Sequence, residues 1–270
     1  MKFKHFLFSV ILLLTTNAFP QNTDELPQSI RKNKVPIWLD LSVGGNIADC
    51  YDNGTIPFRY SGFGIHAKGG LTIEWGRCHI DHKTQLFYNM LSDVNGSSVN
   101  VNLTTAFLYR LHDSANNRWH YWAGGQWQTF VDMRDIPALM NASSSVSLFG
   151  NLCATGMVQY DFAFNRDKTH PWLTAYGQLD LPLLGVVNRP GYAYIGNPTI
   201  NDDALLGDNE TFAKLFPGTS TELGLYLNLR NDNRIGLSYR WDYLTTGKKG
   251  AYRYDNALHS LDLSFMFKIN

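Results

Sequence analysis

Beyond residues 1–20 the sequence has no long apolar run: nothing in it approaches the ~20 consecutive apolar residues that a transmembrane helix needs. It also has no net charge. The 23 Lys and Arg cancel the 23 Asp and Glu, so charge gives no reason to expect a nucleic acid or a polyanionic substrate as partner. Charged residues make up only 17% of the chain, against ~25% in ordinary soluble domains, which means that something other than water covers part of the surface. Cysteine is scarce. Cys50, Cys78 and Cys153 are an odd number at unrelated spacings, so neither a disulfide framework nor a zinc site is indicated, and Cys78 and Cys153 read as small apolar or partly buried residues. No Gly-x-Ser-x-Gly, His-Glu-x-x-His or phosphate-loop pattern occurs. No linker, low-complexity run or repeat divides the chain.

The N-terminus carries an address. Lys2, Lys4 and His5 precede the apolar run Phe6 to Leu14, and Thr15, Thr16, Asn17 and Ala18 come after it, the pattern of a secretory signal peptide cleaved between Ala18 and Gln21. Residues 1–20 are therefore expected to be the signal, 21–35 an N-terminal periplasmic segment, and 36–270 the folded body. With no apolar helix to span a membrane, the exported chain is either a soluble β-sandwich or a protein that crosses a membrane as strands.

The body of the chain alternates with period two, the signature of strands. Leu223, Leu225, Leu227 and Leu229 alternate with Glu222, Gly224, Tyr226 and Asn228; Ile235, Leu237, Tyr239, Trp241 and Tyr243 alternate with Gly236, Ser238, Arg240 and Asp242; Leu261, Leu263, Phe265, Phe267 and Ile269 close the chain. Ile37 to Val43, Phe63 to Trp75, Val99 to Leu111 and Val146 to Phe164 obey the same rule, and Cys78 to Met90, Trp119 to Phe130 and Trp172 to Leu183 do so less cleanly. These make ten strands, with twelve as the alternative count.

The connections distinguish a barrel from a sandwich. Gly76-Arg77, His112 to Arg118, Asn165 to His170 and Arg230 to Asn233 are short; Ala48 to Arg59, Ser92 to Ser98, Val131 to Ser144, Leu184 to Gly218 and Thr245 to Asn256 are longer, and the two kinds alternate. Short turns at one end, long loops at the other and an even strand count describe an all-β, transmembrane antiparallel up-and-down barrel with periplasmic turns and extracellular loops. Trp75, Trp119, Tyr121 and Trp172 sit beside the short turns, where a periplasmic aromatic girdle belongs. The last strand resembles an outer-membrane sorting signal, with Asn270 in place of the usual final aromatic.

The polar face of such strands fills the lumen. Asp40, His66, Lys68, Arg110, Asp161, Asp180, Glu222, Arg240, Asp242 and Asp262 are the expected polar network, with Glu74, Asp81, Lys83, Lys268, Gln126, Gln128, Gln159 and Gln178 among them. Unpartnered charges there would be costly, so they should pair across the interior. Narrow barrels hold little beyond their own side chains, whereas wide pores need ~16–18 strands. A plugged barrel with a structural, surface-interaction or assembly-partner role is thus the first expectation. A narrow channel or transporter selecting through His66, Lys68, Arg240 and Asp242 is the second.

A hydrolase is the remaining class. A rim protease needs an extracellular His, but His79, His112, His120 and His170 lie at the short-turn end, His66, His82 and His259 lie within strands, and Asp202-Asp203 has no loop histidine beside it. A lipid-facing Ser–His pair fails at His259, whose neighbour Ser260 points inward, and at His82, which has Thr84 two residues on but no serine. No catalytic, cofactor or metal residue is assigned. Within Leu184 to Gly218, residues Asp208 to Phe216 read as a capped helical turn ended by Pro217-Gly218, with Phe212, Leu215 and Phe216 on one side. It would serve as lid, plug or partner-binding knob.

Tyr60-Ser61-Gly62, Leu181-Pro182-Leu183-Leu184-Gly185 and Arg189-Pro190-Gly191-Tyr192, in that order, resemble a family of uncharacterised outer-membrane β-barrel proteins of Bacteroidota. The resemblance implies the cell outer membrane and brings no catalytic residues. Expected partners are outer-membrane lipid, the barrel-assembly machinery during insertion, and an outer-membrane or surface protein; no nucleic acid and no cofactor is expected.

Overall fold

The computed structural model describes residues 35–52, 56–113, 118–138, 144–162, 171–190, 209–246 and 253–269. Within them lie β1 (Ile37–Asp52), β2 (Ile56–Trp75), β3 (Cys78–Leu91), β4 (Gly96–Asp113), β5 (Trp119–Asp135), β6 (Ser144–Phe162), β7 (Leu173–Pro190), β8 (Asn209–Leu215), β9 (Gly218–Asn228), β10 (Arg234–Thr246) and β11 (Tyr254–Lys268). Chain neighbours pair antiparallel except β8 and β9, both of which pair with β7, and β1 pairs with β11 from Trp38 opposite Lys268 to Asp52 opposite Tyr254. That last ladder closes the sheet into a barrel, while β8 has β7 as its one ladder partner among the described residues.

β8 and β9 share one place in the wall. β7 pairs with β8 through Leu184–Pro190 and with β9 through Leu173–Asp180, so the closed barrel has ten strand positions. Two irregularities meet where β8 gives way to β9. On β7 the register shifts, Leu152 lying opposite Leu184 but Cys153 opposite Pro182, which leaves Leu183 as an extra residue beside a proline that has no N–H for the ladder. Across from it Phe216 turns the chain with φ 49°, and its N–H still donates to the Leu183 carbonyl at 3.3 Å.

The outward face is an apolar belt. On β2 it runs Phe63, Ile65, Ala67, Gly69, Leu71, Ile73 and Trp75, with Phe63, Ile65 and Trp75 more than half exposed at 58%, 70% and 69%. A soluble protein does not present such a contiguous face to water; a membrane-spanning barrel presents it to lipid. The start of β1 at Ile37 and the end of β11 at Lys268 share one rim with the turns Gly76-Arg77 and Arg230–Asn233, and in this architecture that rim is periplasmic. The exposed aromatics Trp75, Trp119, Tyr121 and Trp172 stand there.

The strands outlast the belt, which shortens the loops expected from sequence. β2 has 20 residues; at ~3.3 Å per residue and ~40° tilt it rises about 50 Å, twice the ~25 Å of an apolar band. Much of Ala48 to Arg59, Ser92 to Ser98, Val131 to Ser144 and Thr245 to Asn256 is therefore strand, with a 3-10 turn at Ser92–Val94. Above the lipid the outer face is polar, as where Arg59 meets Asp49 at 3.5 Å, so the hydrophobic alternation fades while the hydrogen-bonded ladder continues.

Leu184 to Gly218 is likewise not one loop. Leu184–Pro190 belongs to β7, and within the helical turn expected over 208–216 the residues Asn209–Leu215 form the strand β8 instead. Its Phe212 packs inward against the cluster of Phe130, Phe149, Val187, Leu244 and Tyr254, and pairing with β7 outweighs the local helix preference of Glu210, Ala213, Lys214 and Leu215. Residues 191–208 and the turn Asn165 to His170 lie outside the described residues. Cys153 is buried as expected, but Cys78 is exposed on the outer wall beside the Gly76-Arg77 turn, because its position in β3 has outward parity.

Candidate functional site

The centre of the lumen is organised by Arg240. Register sets Arg240 on β10 opposite Glu222 on β9, and period two puts Asp242 on the same inward face one position higher. The guanidinium donates to both oxygens of Asp242, from Nε at 2.8 Å and from Nη2 at 2.9 Å, and to Glu222 Oε2 from Nη1 at 3.2 Å. Asp180 of β7 lies 3.9 Å from Nη2 and accepts from Thr155 at 2.8 Å and Gln178 at 3.0 Å. Glu222 also accepts from Tyr176 Oη at 2.6 Å. Gly224 makes room for that tyrosine, whose ring stacks on Tyr226 with 4.8 Å between centroids.

A second set of charges faces the first. Lys83 pairs with Asp81 at 2.7 Å and reaches Glu222 at 3.8 Å, while Asp262 meets His66 Nε2 at 2.7 Å and Lys68 Nζ at 3.7 Å. Asp40 accepts from Ser42 at 2.9 Å. All these residues are buried or nearly so. A lone charge there would lack solvation, and the interleaving of signs with amide and hydroxyl partners provides the compensation. Of the residues expected from sequence, Asp40, His66, Lys68, Asp180, Glu222, Arg240, Asp242 and Asp262 meet in this layer. Arg110 and Asp161 do not; they stand at the periplasmic end, Arg110 stacked over Trp122 at 4.4 Å and Asp161 accepting from Thr174 at 2.8 Å beside His120 at 3.2 Å.

Toward the extracellular end lies a plug that the loop reading missed. Arg189 Nη2 donates to Asp52 Oδ1 at 2.8 Å, Arg134 Nη1 approaches Asp52 Oδ2 at 3.4 Å, and Arg134 also bonds Asp132 and Tyr60 Oη. Both guanidiniums flank the Tyr254 ring, at 4.7 Å for Arg134 and 4.6 Å for Arg189, and Tyr254 Oη donates to Asp132 at 2.7 Å. Apolar groups complete the closure. Tyr60, Cys50, Leu91, Val94 and Ile136 form one buried cluster, and Phe130, Phe149, Val187, Leu244 and Tyr254 another. The signal was present as parity: Asp52 continues the inward series of Asp40, and Asp132 and Arg134 that of Gln126 and Gln128.

The periplasmic end is hollow by contrast. A cavity of about 380 Å³ opens there among Trp38, Gln159, Asp161, Trp172, Asn228 and the arginines 230 and 234. Deeper, a space of about 40 Å³, room for ordered water, lies between Asp40, Glu74, Asp81 and Lys83. Gln159 and Arg234 line both. The lumen is thus a cup, open below and packed above.

Two histidines face outward. His82 Nδ1 is 2.9 Å from Thr105 Oγ1, a lipid-facing hydroxyl–imidazole pair absent from the sequence reading because the threonine lies on the next strand. His259 Nδ1 is 2.6 Å from Tyr239 Oη. Hydroxyl activation also needs a group to orient the imidazole, and among the described side chains the outward positions of β2, β3 and β4 carry no carboxylate. Among the described residues, no group of His, Cys, Asp or Glu could hold a metal ion.

By sequence the chain matches no family model and none of the curated proteins. By structure it is similar to the outer-membrane protease OmpT of Escherichia coli, with a TM-score of 0.50 and 8% identity over 88% of this chain and 99% of that one. Weaker likenesses are the Neisserial surface protein NspA, TM-score 0.34 at 9% identity over 86% and 97%, and the translocator domain of the autotransporter NalP from Neisseria meningitidis, TM-score 0.40 at 10% identity over 89% and 91%. At such identities the likeness is one of fold. The chain has the fold of an outer-membrane β-barrel, and its apolar belt suits that membrane.

Proposed function

We propose that this chain is a closed outer-membrane barrel that acts through its ends and its partners, with a structural, surface-interaction or assembly-partner role rather than a conductive one. The observation that carries the reading is the plug of Asp52, Asp132, Arg134 and Arg189 around Tyr254, stacked above the Arg240 layer. Moving an ion through it means breaking several buried charge pairs at once, each costing about 3–5 kcal/mol when one partner is lost. The proposal includes membership of the Bacteroidota barrel family, insertion by the barrel-assembly machinery, and an outer-membrane or surface protein as partner. Single-channel recording of the purified protein in planar bilayers tests it. Silence is expected, and stable unitary conductance would replace the reading with a pore.

A narrow channel or transporter is the second reading, favoured by the cup that reaches the charged layer from below. Under it, Asp242→Asn alters uptake or selectivity in a barrel that still folds. Neutralising His66, Lys68, Arg240 and Asp242 in turn with no effect on transport would end it.

A further inference from the structure

The cup at the periplasmic rim has a composition that lumen filling does not require. Its cations outnumber its anions, and its two carboxylates are engaged: Asp232 pairs with Lys268 at 2.7 Å, and Asp161 is held by Thr174 at 2.8 Å. Arg230 and Arg234 make no contact ion pair among the described residues, and the carboxylate that Arg234 feels is that of Glu74 on the wall of the deeper space. Arg230 is exposed on the turn, whereas Arg234 is half-buried with its Cζ over the Trp38 ring, 4.5 Å from the centroid. That ring is itself buried, with Nε1 donating to the Asp232 carbonyl at 3.3 Å. The guanidinium is therefore held in position by stacking, with its N–H edge left for another acceptor.

The neutral groups of the cup are also incompletely used. Asn228 Nδ2 donates to the Pro171 carbonyl and to Thr174 Oγ1, both at 3.0 Å, which leaves its Oδ1 as an acceptor. The half-buried Gln159 lines the neck and makes no side-chain hydrogen bond among the described residues. The cup thus offers one guanidinium held over an indole and a second on the exposed turn at its rim, an amide that can both donate and accept, a further carbonyl oxygen and indole surface. The complement is a carboxylate close to a peptide amide, with a small apolar substituent. The cavity of about 380 Å³ falls in the ~300–1,000 Å³ range of small-ligand sites.

We propose that the cup binds the carboxylate terminus of a short peptide-like ligand from the periplasmic side, with Arg234 and Arg230 holding the carboxylate and Gln159 and Asn228 reading the adjoining amide. The site is independent of whether the lumen conducts, since its ligand enters and leaves at the same rim. Isothermal titration of the full-length folded barrel in detergent, with N-acetyl-alanyl-alanine and with its C-terminal amide, tests it. The free acid should bind saturably at one site, and the amide should bind about tenfold more weakly or worse, because it offers no charge-assisted bidentate acceptor. Arg234→Gln should reproduce that loss and Arg234→Lys only part of it. Arg230→Gln changes an exposed turn residue and should also lower affinity. Equal binding of acid and amide, binding unchanged in Arg234→Gln with the barrel folded, or no saturable binding of the acid would each overturn the proposal. Conductance in bilayers alters none of these outcomes.

Discussion

Replacing Arg240 by methionine keeps an unbranched, flexible stem while removing the guanidinium on which the central layer converges. Arg240 is 2% exposed. Its loss strands the three carboxylates unequally. Asp180 keeps Thr155 and Gln178, and Glu222 keeps Tyr176 and, at 3.8 Å, Lys83. Asp242 has no other side-chain partner among the described residues, and loses bonds at 2.8 and 2.9 Å. Leaving one buried charge uncompensated costs about 3–5 kcal/mol, a shift of about two to three and a half powers of ten in the unfolding equilibrium. Guanidinium unfolding in micelles, monitored by tryptophan fluorescence, reads that shift directly. The double variant Arg240→Met/Asp242→Leu removes the stranded carboxylate and should recover at least half of the loss, because an apolar pair often replaces a buried ion pair at little cost. A loss below about 1 kcal/mol in the single variant, in the range of an exposed pair, would refute the argument that Arg240 neutralises this layer. So would a double variant in which the two losses simply add.

Gly224→Ala would place a Cβ 2.3 Å from the Tyr176 ring, displacing the hydroxyl from Glu222; a loss of about 1–3 kcal/mol is expected in the same unfolding assay, and an unchanged midpoint would mean that the tyrosine moves freely. Asp93, in the extracellular turn, accepts from the Ser61 N–H at 2.8 Å and hydroxyl at 2.9 Å, and those bonds hold its carboxyl below the usual 3.8. Because the folded value is the lower one, this contact is complete above the usual value and is lost as pH falls through the lowered one, so hydrogen-exchange protection of the Ser61 amide should persist at pH 5 and drop only under strong acid; a drop already near pH 6 would refute it. An epitope tag near Asp208 should be reached by antibody on intact cells and one at Asp232 only after the outer membrane is opened; the reverse labelling would invert the barrel.

How much of this was legible in the sequence depended on what lay outside each strand. Within the lipid belt the outer residues are Leu, Ile, Val and Phe, so Leu223 to Leu229 or Leu261 to Ile269 declares both its strand and its face. Above the belt the outer face meets water, and positions such as Asp49 and Arg59 read as loop although the ladder runs on through them. The misreading of 208–216 has a related cause. Nine residues with Phe212, Leu215 and Phe216 satisfy a helical spacing as well as a strand, and only the pairing partner on β7 decides between them. The inner face was legible as a set of residues for the same reason that the outer one was, through parity.

Parity gives the side of the wall and says nothing about height, and height is what makes a site. Glu222 and Arg240 lie 18 positions apart in sequence and meet because a hairpin fixes their register, a short-range fact within reach of a sequence argument. Arg134 and Asp52 are 82 apart, and Arg189 and Asp52 137; they meet only because the closed sheet brings β1, β5 and β7 around one axis at one level. The same closure sorts the inward residues into a dense extracellular plug, a charged middle and a hollow periplasmic cup, although all three draw on similar polar residues. Arg234 illustrates the difference. Near the middle of the barrel its charge would need a carboxylate, as Arg240's does, but at the rim an indole face suffices to hold it, and the guanidinium keeps its hydrogen-bonding edge. The asymmetry of the barrel arises from where along the axis compensation is complete, and the end where it is incomplete is the end equipped to bind.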